Sequence, residues 1–173
     1  MAYIGIGAVF IVLCSWIALP GPVPFTLQTF GVFFVIGFLK GRRSLWAVGV
    51  YILMGLVGIP VFSGFTGGAG TLLGATGGFI LGFAVAALVC RLTERWWQKG
   101  FGVKLASMLL GLVICYGLGT LWYAYVFSAG SRGGFVSALS VCVVPFIVPD
   151  IVKVLAAAVL SGTIEKRLKK KRY

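Results

Sequence analysis

Long uncharged stretches dominate the chain, and short clusters of basic residues separate them. Four such stretches cover residues 1–39, 44–90, 105–131 and 133–149. A helix needs about 20 apolar residues to cross a bilayer. The first two stretches are therefore each long enough for two spans. The pattern predicts an integral membrane protein with a single membrane domain over residues 1–173.

Proline and glycine divide these stretches into six predicted helices, because both residues interrupt regular helical structure. The breaks are the proline-rich residues 20–24, Pro60 with the glycine-rich residues 61–78, and the polar residues 128–134. Residues 61–78 are predicted to form one long loop, and a short lead-in segment is predicted before Pro149. The predicted all-α bundle has transmembrane helices at about residues 1–19, 27–39, 44–60, 79–97, 104–127 and 149–164.

The basic residues fall on one side of this six-helix arrangement. Of the 15 Lys and Arg residues, all except Arg132 and Lys153 follow the second helix, flank the connection between the fourth and fifth, or follow the sixth. Since cytoplasmic loops carry an excess of Lys and Arg, both termini are predicted to be cytoplasmic, with a basic tail at about residues 165–173. This topology explains most of the formal net charge of +12, so no nucleic-acid partner is expected.

Composition supports the membrane assignment and argues against catalysis. Hydrophobic residues make up 60% of the chain, whereas soluble domains have about 45–50%. The chain has no His, and its 4 Cys residues are spread through apolar segments, so no metal or disulfide site is indicated. It contains no nucleotide-binding motif or nucleophile elbow. We therefore expect neither an enzyme nor a cofactor. Residues 1–19 lack a basic leader, which argues against a cleaved signal peptide.

One acidic residue lies in an otherwise apolar stretch: Asp150, three positions before Lys153. A charge at the centre of a bilayer costs about 2.5–3.5 kcal/mol on insertion scales, so such a residue usually has a function. At this spacing the two side chains share one helix face and can pair. The pair could be the polar end of a ligand site, or it could be purely structural. Alternatively, Asp150 could be the proton or ion site of a stand-alone secondary transporter of a small organic acid.

The irregular segments are predicted to lie on the side opposite the basic residues. They comprise residues 20–26, 61–78 and 128–134, with Asp150 near the start of the last helix. Irregular backbone at membrane depth is tolerated where it lines a cavity or is buried in protein. These segments therefore favour a ligand site on this side. Two alternatives remain: the glycine-rich segment could be a plain linker, and Gln28 could satisfy backbone groups that the prolines leave free.

Three parts of the sequence resemble the BioY family. Residues 22–28 read PVPFTLQ; residues 55–64 read GLVGIPVFSG and are followed at 74–82 by GATGGFILG; and residues 145–153 read PFIVPDIVK. These blocks occur in the family's order and cover nearly the whole chain. The resemblance implies a six-helix substrate-binding S component of an energy-coupling-factor (ECF) transporter in the plasma membrane. Such a component captures biotin from outside and works with a transmembrane T component and a pair of cytoplasmic ABC-type ATPases.

The resemblance also implies roles for individual residues. Asp150 would accept a hydrogen bond from a ureido N–H of biotin, and Lys153 would donate to the ureido oxygen or to the carboxylate. A lid formed by residues 61–78 would cover the ligand. The remaining expected contacts are two polar residues, Gln28 and Thr76, and three aromatic residues against the rings, Phe25, Phe62 and Phe79.

Overall fold

The computed structural model of the protein describes residues 1–19, 24–127 and 134–170. The predicted breaks at residues 20–24 and 128–134, and the predicted tail at about residues 165–173, lie partly outside the described residues. Arg132 lies wholly outside them.

Helices make up most of the described chain, so the prediction of an all-α fold is confirmed. The helices are α1 (Ala2–Trp16), α2 (Gln28–Leu39), α3 (Gly41–Leu56), α4 (Ala69–Leu73), α5 (Gly77–Thr93), α6 (Phe101–Trp122), α7 (Gly134–Cys142) and α8 (Ile147–Lys170). Three 3₁₀ segments, Ser63–Phe65, Glu94–Lys99 and Val144–Phe146, and one π segment, Tyr123–Phe127, join or extend them.

Within the described part of the chain, three helical segments are long and apolar enough to cross a membrane. They are Gly77–Lys99, Phe101–Tyr125 and Phe135–Leu168. Two further apolar helices, Ala2–Trp16 and Gln28–Leu39, are shorter. The length and composition of these helices are those of a membrane protein.

The first helix ends earlier than predicted, because the chain after it forms a short strand. β1 (Ala18–Leu19) pairs antiparallel with β2 (Phe25–Thr26), whereas the sequence predicted helix to residue 19. The Leu27 N–H then donates to the Ile17 carbonyl at 2.9 Å. These bonds satisfy backbone groups before and after the proline-rich residues and place β2 immediately before α2.

The prediction of one long loop at residues 61–78 was wrong. The segment contains the 3₁₀ turn Ser63–Phe65 and the helix α4, and α5 already begins at Gly77. The Phe62 N–H also donates to the Thr66 carbonyl at 3.0 Å. The Gly68 N–H donates to the Gly55 carbonyl at 2.7 Å, so these short elements are bonded back to the end of α3.

Other helix ends also differ from the prediction. α3 stops at Leu56 rather than near Pro60, because Gly58 adopts a positive φ of 104°. The helix predicted at 104–127 begins at Phe101 and continues into the π segment. α8 begins two residues before Pro149, since proline fits the first turn of a helix. It then extends to Lys170, so much of the predicted tail is helical.

The helices pack closely against one another. α5 and α6 lie side by side, and α2 packs along α8. Gly78 of α5 contacts Trp122 of α6, and a Cβ atom at Gly78 would overlap the Trp122 side chain and lie 2.9 Å from the Leu118 carbonyl oxygen. Small residues allow helices to approach closely in lipid. This contact places the start of α5 next to the end of α6.

Candidate ligand-binding site

Asp150 is buried at the start of α8, with 5% of its surface exposed. Its Oδ1 accepts a hydrogen bond from Lys153 Nζ at 2.8 Å, and its Oδ2 accepts one from the Tyr116 hydroxyl at 2.8 Å. Hydrogen bonds to charged groups are stronger than those between neutral groups. Both oxygens are thus anchored, and the carboxylate is held between α6 and α8.

Lys153 is buried as well and connects α8 to β2. Its Nζ donates to the Thr26 carbonyl of β2 at 2.7 Å and lies 3.8 Å from the centroid of the Phe25 ring. A cation above an aromatic face is stabilised by the ring quadrupole. The ion pair with Asp150 also spans 2.8 Å. The ammonium group therefore has an anion, a carbonyl and a ring as neighbours.

A second polar pair lies between α2 and α3. The amide Nε2 of Gln28 donates to the Tyr51 hydroxyl at 2.8 Å, and both residues are buried. The Gln28 N–H in turn donates to Thr26 Oγ1 at 3.2 Å. Gln28 is therefore oriented by a side-chain partner, and its backbone is bonded to the strand that also accepts from Lys153.

A cavity of about 60 Å³ lies beside Asp150, Lys153, Tyr116 and Gln28. Pockets for drug-sized ligands usually measure about 300–1,000 Å³, so the cavity in this structure is small. Fifteen residues line it: Pro24, Thr26, Gln28, Thr29, Phe62, Ser63, Thr76, Phe79, Ile80, Phe83, Tyr116, Cys142, Phe146, Asp150 and Lys153. The lining combines a few polar groups with many apolar ones, as is usual for small-molecule sites.

The structure brings six of the seven expected ligand contacts into this lining. Phe62 is fully buried and meets Tyr51 edge-on, with ring centroids 5.5 Å apart. Thr76 immediately precedes α5, and Phe79 lies in the first turn of that helix. Phe25 does not line the cavity. Its ring instead lies beneath Lys153 and stacks on Phe146, 6.1 Å between centroids.

Sequence reasoning did not identify Tyr116, although its hydroxyl binds Asp150 directly. The two residues are 34 positions apart and belong to different helices. A hydroxyl-bearing residue in the uncharged stretch 105–131 was the available signal, but nothing in the sequence indicated which way it faced. Phe146, which stacks on Phe25, was missed for the same reason.

The arrangement can bind a neutral or anionic polar group. Ionised carboxylate oxygens each accept more than one hydrogen bond, so Asp150 can take a ligand N–H in addition to its two present donors. Two of the three Lys153 donors are used by Asp150 and Thr26. One donor is left for a ligand oxygen, and a single site thus offers an anionic acceptor and a cationic donor.

Fold and site together define an integral membrane protein whose helices enclose a small polar ligand site. The model of the BioY family matches residues 1–170. The chain therefore belongs to the BioY family.

Individual relatives are similar over most of their length. The Biotin transporter BioY of Thermotoga maritima is 39% identical over 163 residues, which cover 94% of this chain and 93% of the relative. Biotin transporter BioY2 of Lactococcus lactis is 35% identical over 173 residues, covering 97% and 91%. A crystal structure of the S-component for biotin from an ECF-type ABC transporter is 25% identical, with a TM-score of 0.84 and coverage of 95% and 89%.

Proposed function

We propose that this protein is the biotin-binding S component of an ECF transporter. It captures biotin from the extracellular side and has no catalytic activity of its own. The observation that carries this function is the bonded cluster of Asp150, Lys153 and Tyr116, with both charges buried, beside the cavity of a BioY-family chain. Family membership favours this function over a stand-alone secondary transporter of a small organic acid, in which Asp150 would carry a proton or an ion.

The site residues suit the chemistry of biotin, which has two ureido N–H groups, a ureido oxygen and a carboxylate on an apolar bicycle. Asp150 accepts from a ureido N–H, and Lys153 donates to the ureido oxygen or the carboxylate. Gln28 and Thr76 contribute further polar contacts. Phe62 and Phe79 pack on the rings, while Phe25 supports Lys153 from below rather than touching the ligand.

The cavity has to widen before it accepts biotin. Its volume of about 60 Å³ is far below that of pockets for ligands of this size. Residues 61–78 are the part of the wall that we propose to move, because Phe62 and Ser63 line the cavity. This segment is held to α6 by Trp122, whose Nε1 donates to the Gly74 carbonyl at 3.0 Å. In this proposal, Trp122 anchors one part of the segment, and the part with Phe62 and Ser63 acts as the lid over the cavity.

The proposed topology has six transmembrane helices, α1, α2, α3, α5, α6 and α8, with both termini cytoplasmic in the plasma membrane. Its support is the separation of charge along α8. Asp150 lies at one end, and Lys166 lies 16 residues later, about 24 Å away at 1.5 Å per residue. Lys166 shares a cavity with Lys40, Arg95 and Lys104, so the basic residues of three connections meet at one end.

The proposed partners follow from the same function. The chain forms one membrane domain over residues 1–173 and supplies substrate recognition. A transmembrane T component and cytoplasmic ABC-type ATPases supply the coupling and the energy, for which this chain carries no nucleotide motif.

Calorimetric titration of the purified chain in detergent tests the function. Biotin is expected to bind saturably at one site per chain and to raise the apparent melting temperature, because a ligand that binds the folded state stabilises it. In proteoliposomes, uptake should require the T component, the ATPases and ATP. A titration without saturable heat or thermal shift contradicts the proposal. Uptake driven by a pH gradient with this chain alone would instead support the secondary transporter.

Replacing Tyr116 by Phe should lower the affinity for biotin by about tenfold. The change removes the hydroxyl that donates to Asp150 Oδ2 at 2.8 Å. A hydrogen bond to a charged group contributes about 1.5–3 kcal/mol. Part of this loss is recovered when a ligand N–H donates to the carboxylate oxygen that the hydroxyl has left. The measurement is biotin titration by calorimetry.

Tyr125→Phe is the matched control, because Tyr125 is 69% exposed in the same helical run. Equal affinities in both variants would show that Tyr116 does not orient the site.

A further inference from the structure

A second, larger cavity of about 920 Å³ lies at the opposite end of α8 from Asp150. It is bordered by the end of α2, the 3₁₀ segment Glu94–Lys99, the start of α6 and the last turns of α8. This volume lies in the range of pockets that hold small molecules. It is independent of the biotin site and has no part in the function proposed above.

Among the residues that the structure describes, four cationic side chains and two carboxylates line this cavity. The cations are Lys40, Arg95, Lys104 and Lys166, and the acids are Glu94 and Glu165. Both acids are already engaged. Glu165 Oε2 pairs with Lys40 Nζ at 2.7 Å, and the Glu94 carboxylate accepts from the Gly41 N–H at the start of α3. The lining therefore carries an excess of positive charge.

Lys104 is the cation of this cavity that neighbouring groups hold in place. It is 7% exposed, and its Nζ donates to Ser161 Oγ at 2.7 Å and to the carbonyls of Gly37 and Ala158 at 3.4 and 3.5 Å. Within the described residues, Lys104 has no carboxylate at ion-pair distance. Glu165, on the same cavity wall, attracts the ammonium group electrostatically but forms its ion pair with Lys40. A buried cation without a paired counter-charge is costly, so an anion in the adjoining cavity would stabilise it.

Apolar side chains border the same cavity. Phe101 and Val159 are 48% and 45% exposed, and Trp97 completes this part of the wall. Next to it, the Arg95 guanidinium lies 4.6 Å from the centroid of the Trp96 ring, which is itself 42% exposed. Tryptophan and arginine at a helix end are typical of the headgroup level of a bilayer. The site thus offers cations beside surfaces suited to acyl chains.

We propose that this cavity binds the phosphate group of one anionic phospholipid. Arg95 and Lys166 contact the phosphate, Lys104 supplies positive charge at the base, and Phe101 and Val159 contact the first part of an acyl chain. Basic pockets between helices at the membrane surface bind anionic headgroups in this way. A soluble phosphate ion would leave the two apolar side chains uncovered, which is why a lipid fits better.

The test uses the full chain in a neutral detergent and adds dioleoyl phosphatidylglycerol or dioleoyl phosphatidylcholine. Native mass spectrometry counts bound lipid, and the apparent melting temperature is followed in parallel. The wild-type chain should retain one phosphatidylglycerol per chain and melt at a higher temperature with it than with phosphatidylcholine. The double variant Arg95→Gln/Lys166→Gln should need at least about tenfold more phosphatidylglycerol for the same occupancy, as two charge-assisted contacts are lost.

The matched control is Arg42→Gln/Arg43→Gln, which removes two positive charges from exposed positions of α3 outside the cavity. This variant should bind phosphatidylglycerol like the wild type. Equal losses in both double variants would show non-specific attraction to basic surface and overturn the proposal. Equal retention of the two lipids by the wild type would also overturn it, as would complete displacement of phosphatidylglycerol by an equal concentration of inorganic phosphate.

Discussion

Replacing Asp150 by Asn is expected to weaken biotin binding by about 100-fold. The substitution keeps the shape of the side chain but removes the anionic acceptor for a ureido N–H. A hydrogen bond to a charged group contributes about 1.5–3 kcal/mol, and about 1.4 kcal/mol corresponds to a factor of ten in affinity. The variant also leaves Lys153 as a buried cation without its anion, which lies 2.8 Å away in the wild type.

The loss of this ion pair should also reduce stability. Removing one partner of a buried ion pair costs about 3–5 kcal/mol, because the other charge stays buried without compensation. Binding is therefore measured by calorimetry below the melting temperature of the variant, after gel filtration shows a folded monodisperse protein. If Asp150→Asn does not fold, Tyr116→Phe tests the same carboxylate with a smaller perturbation.

Glu165→Gln is the matched control for Asp150→Asn. It also breaks an ion pair of α8, the one between Glu165 and Lys40, but at the basic end of the protein and with both side chains partly exposed. Exposed ion pairs contribute about 0–1 kcal/mol. The control should bind biotin like the wild type. Binding by Asp150→Asn within twofold of the wild type would refute the role of Asp150 in the site.

Replacing Gly78 by Ala should destabilise the protein strongly for a single methyl group. The new Cβ atom would overlap the Trp122 side chain and lie 2.9 Å from the Leu118 carbonyl oxygen, so α5 and α6 would have to separate. Overpacking of this kind typically costs about 1–3 kcal/mol. For a chain of this size, each kcal/mol lowers the melting temperature by about 2–4 °C. The apparent melting temperature in detergent is the measurement.

Gly117→Ala is the control, for which the expected change in stability has the opposite sign. Gly117 lies on α6, and beyond the adjacent backbone of its own helix no described atom lies within 4 Å of the position that its Cβ would take. Alanine is favoured over glycine in a helix by about 0.8–1.0 kcal/mol, so this variant should be as stable as the wild type or more stable. If both alanine variants melted at the same temperature, close packing of α5 on α6 would not limit stability.

The sequence predicted the polar centre of the site better than its walls. Asp150 and Lys153 are three residues apart, so helix geometry alone places them on one face. By contrast, Lys153 reaches the Thr26 carbonyl, and Gln28 reaches Tyr51, across gaps of 127 and 23 residues. Such contacts depend on which helices pack together, which a pattern of apolar positions does not specify.

Phe25 and the segment 61–78 illustrate the same limit. Phe25 was expected against the ligand, but strand pairing of β2 with β1 holds its ring beneath Lys153. The glycine content of residues 61–78 predicted a loop, but the segment forms a 3₁₀ turn and α4, and hydrogen bonds to Gly55 and Trp122 hold it in place. In both cases, partners distant in the chain outweighed the local composition.

The sequence by itself determined the class of this protein, its family and its paired buried charges, because hydropathy, motif order and i,i+3 spacing are properties of neighbouring residues. Only the tertiary structure decided that Tyr116 joins Asp150 and that Lys104 forms the base of a second, basic cavity. The physical reason is that packing brings together residues from different helices, and the free energy of these contacts is shared among elements that are far apart in the chain.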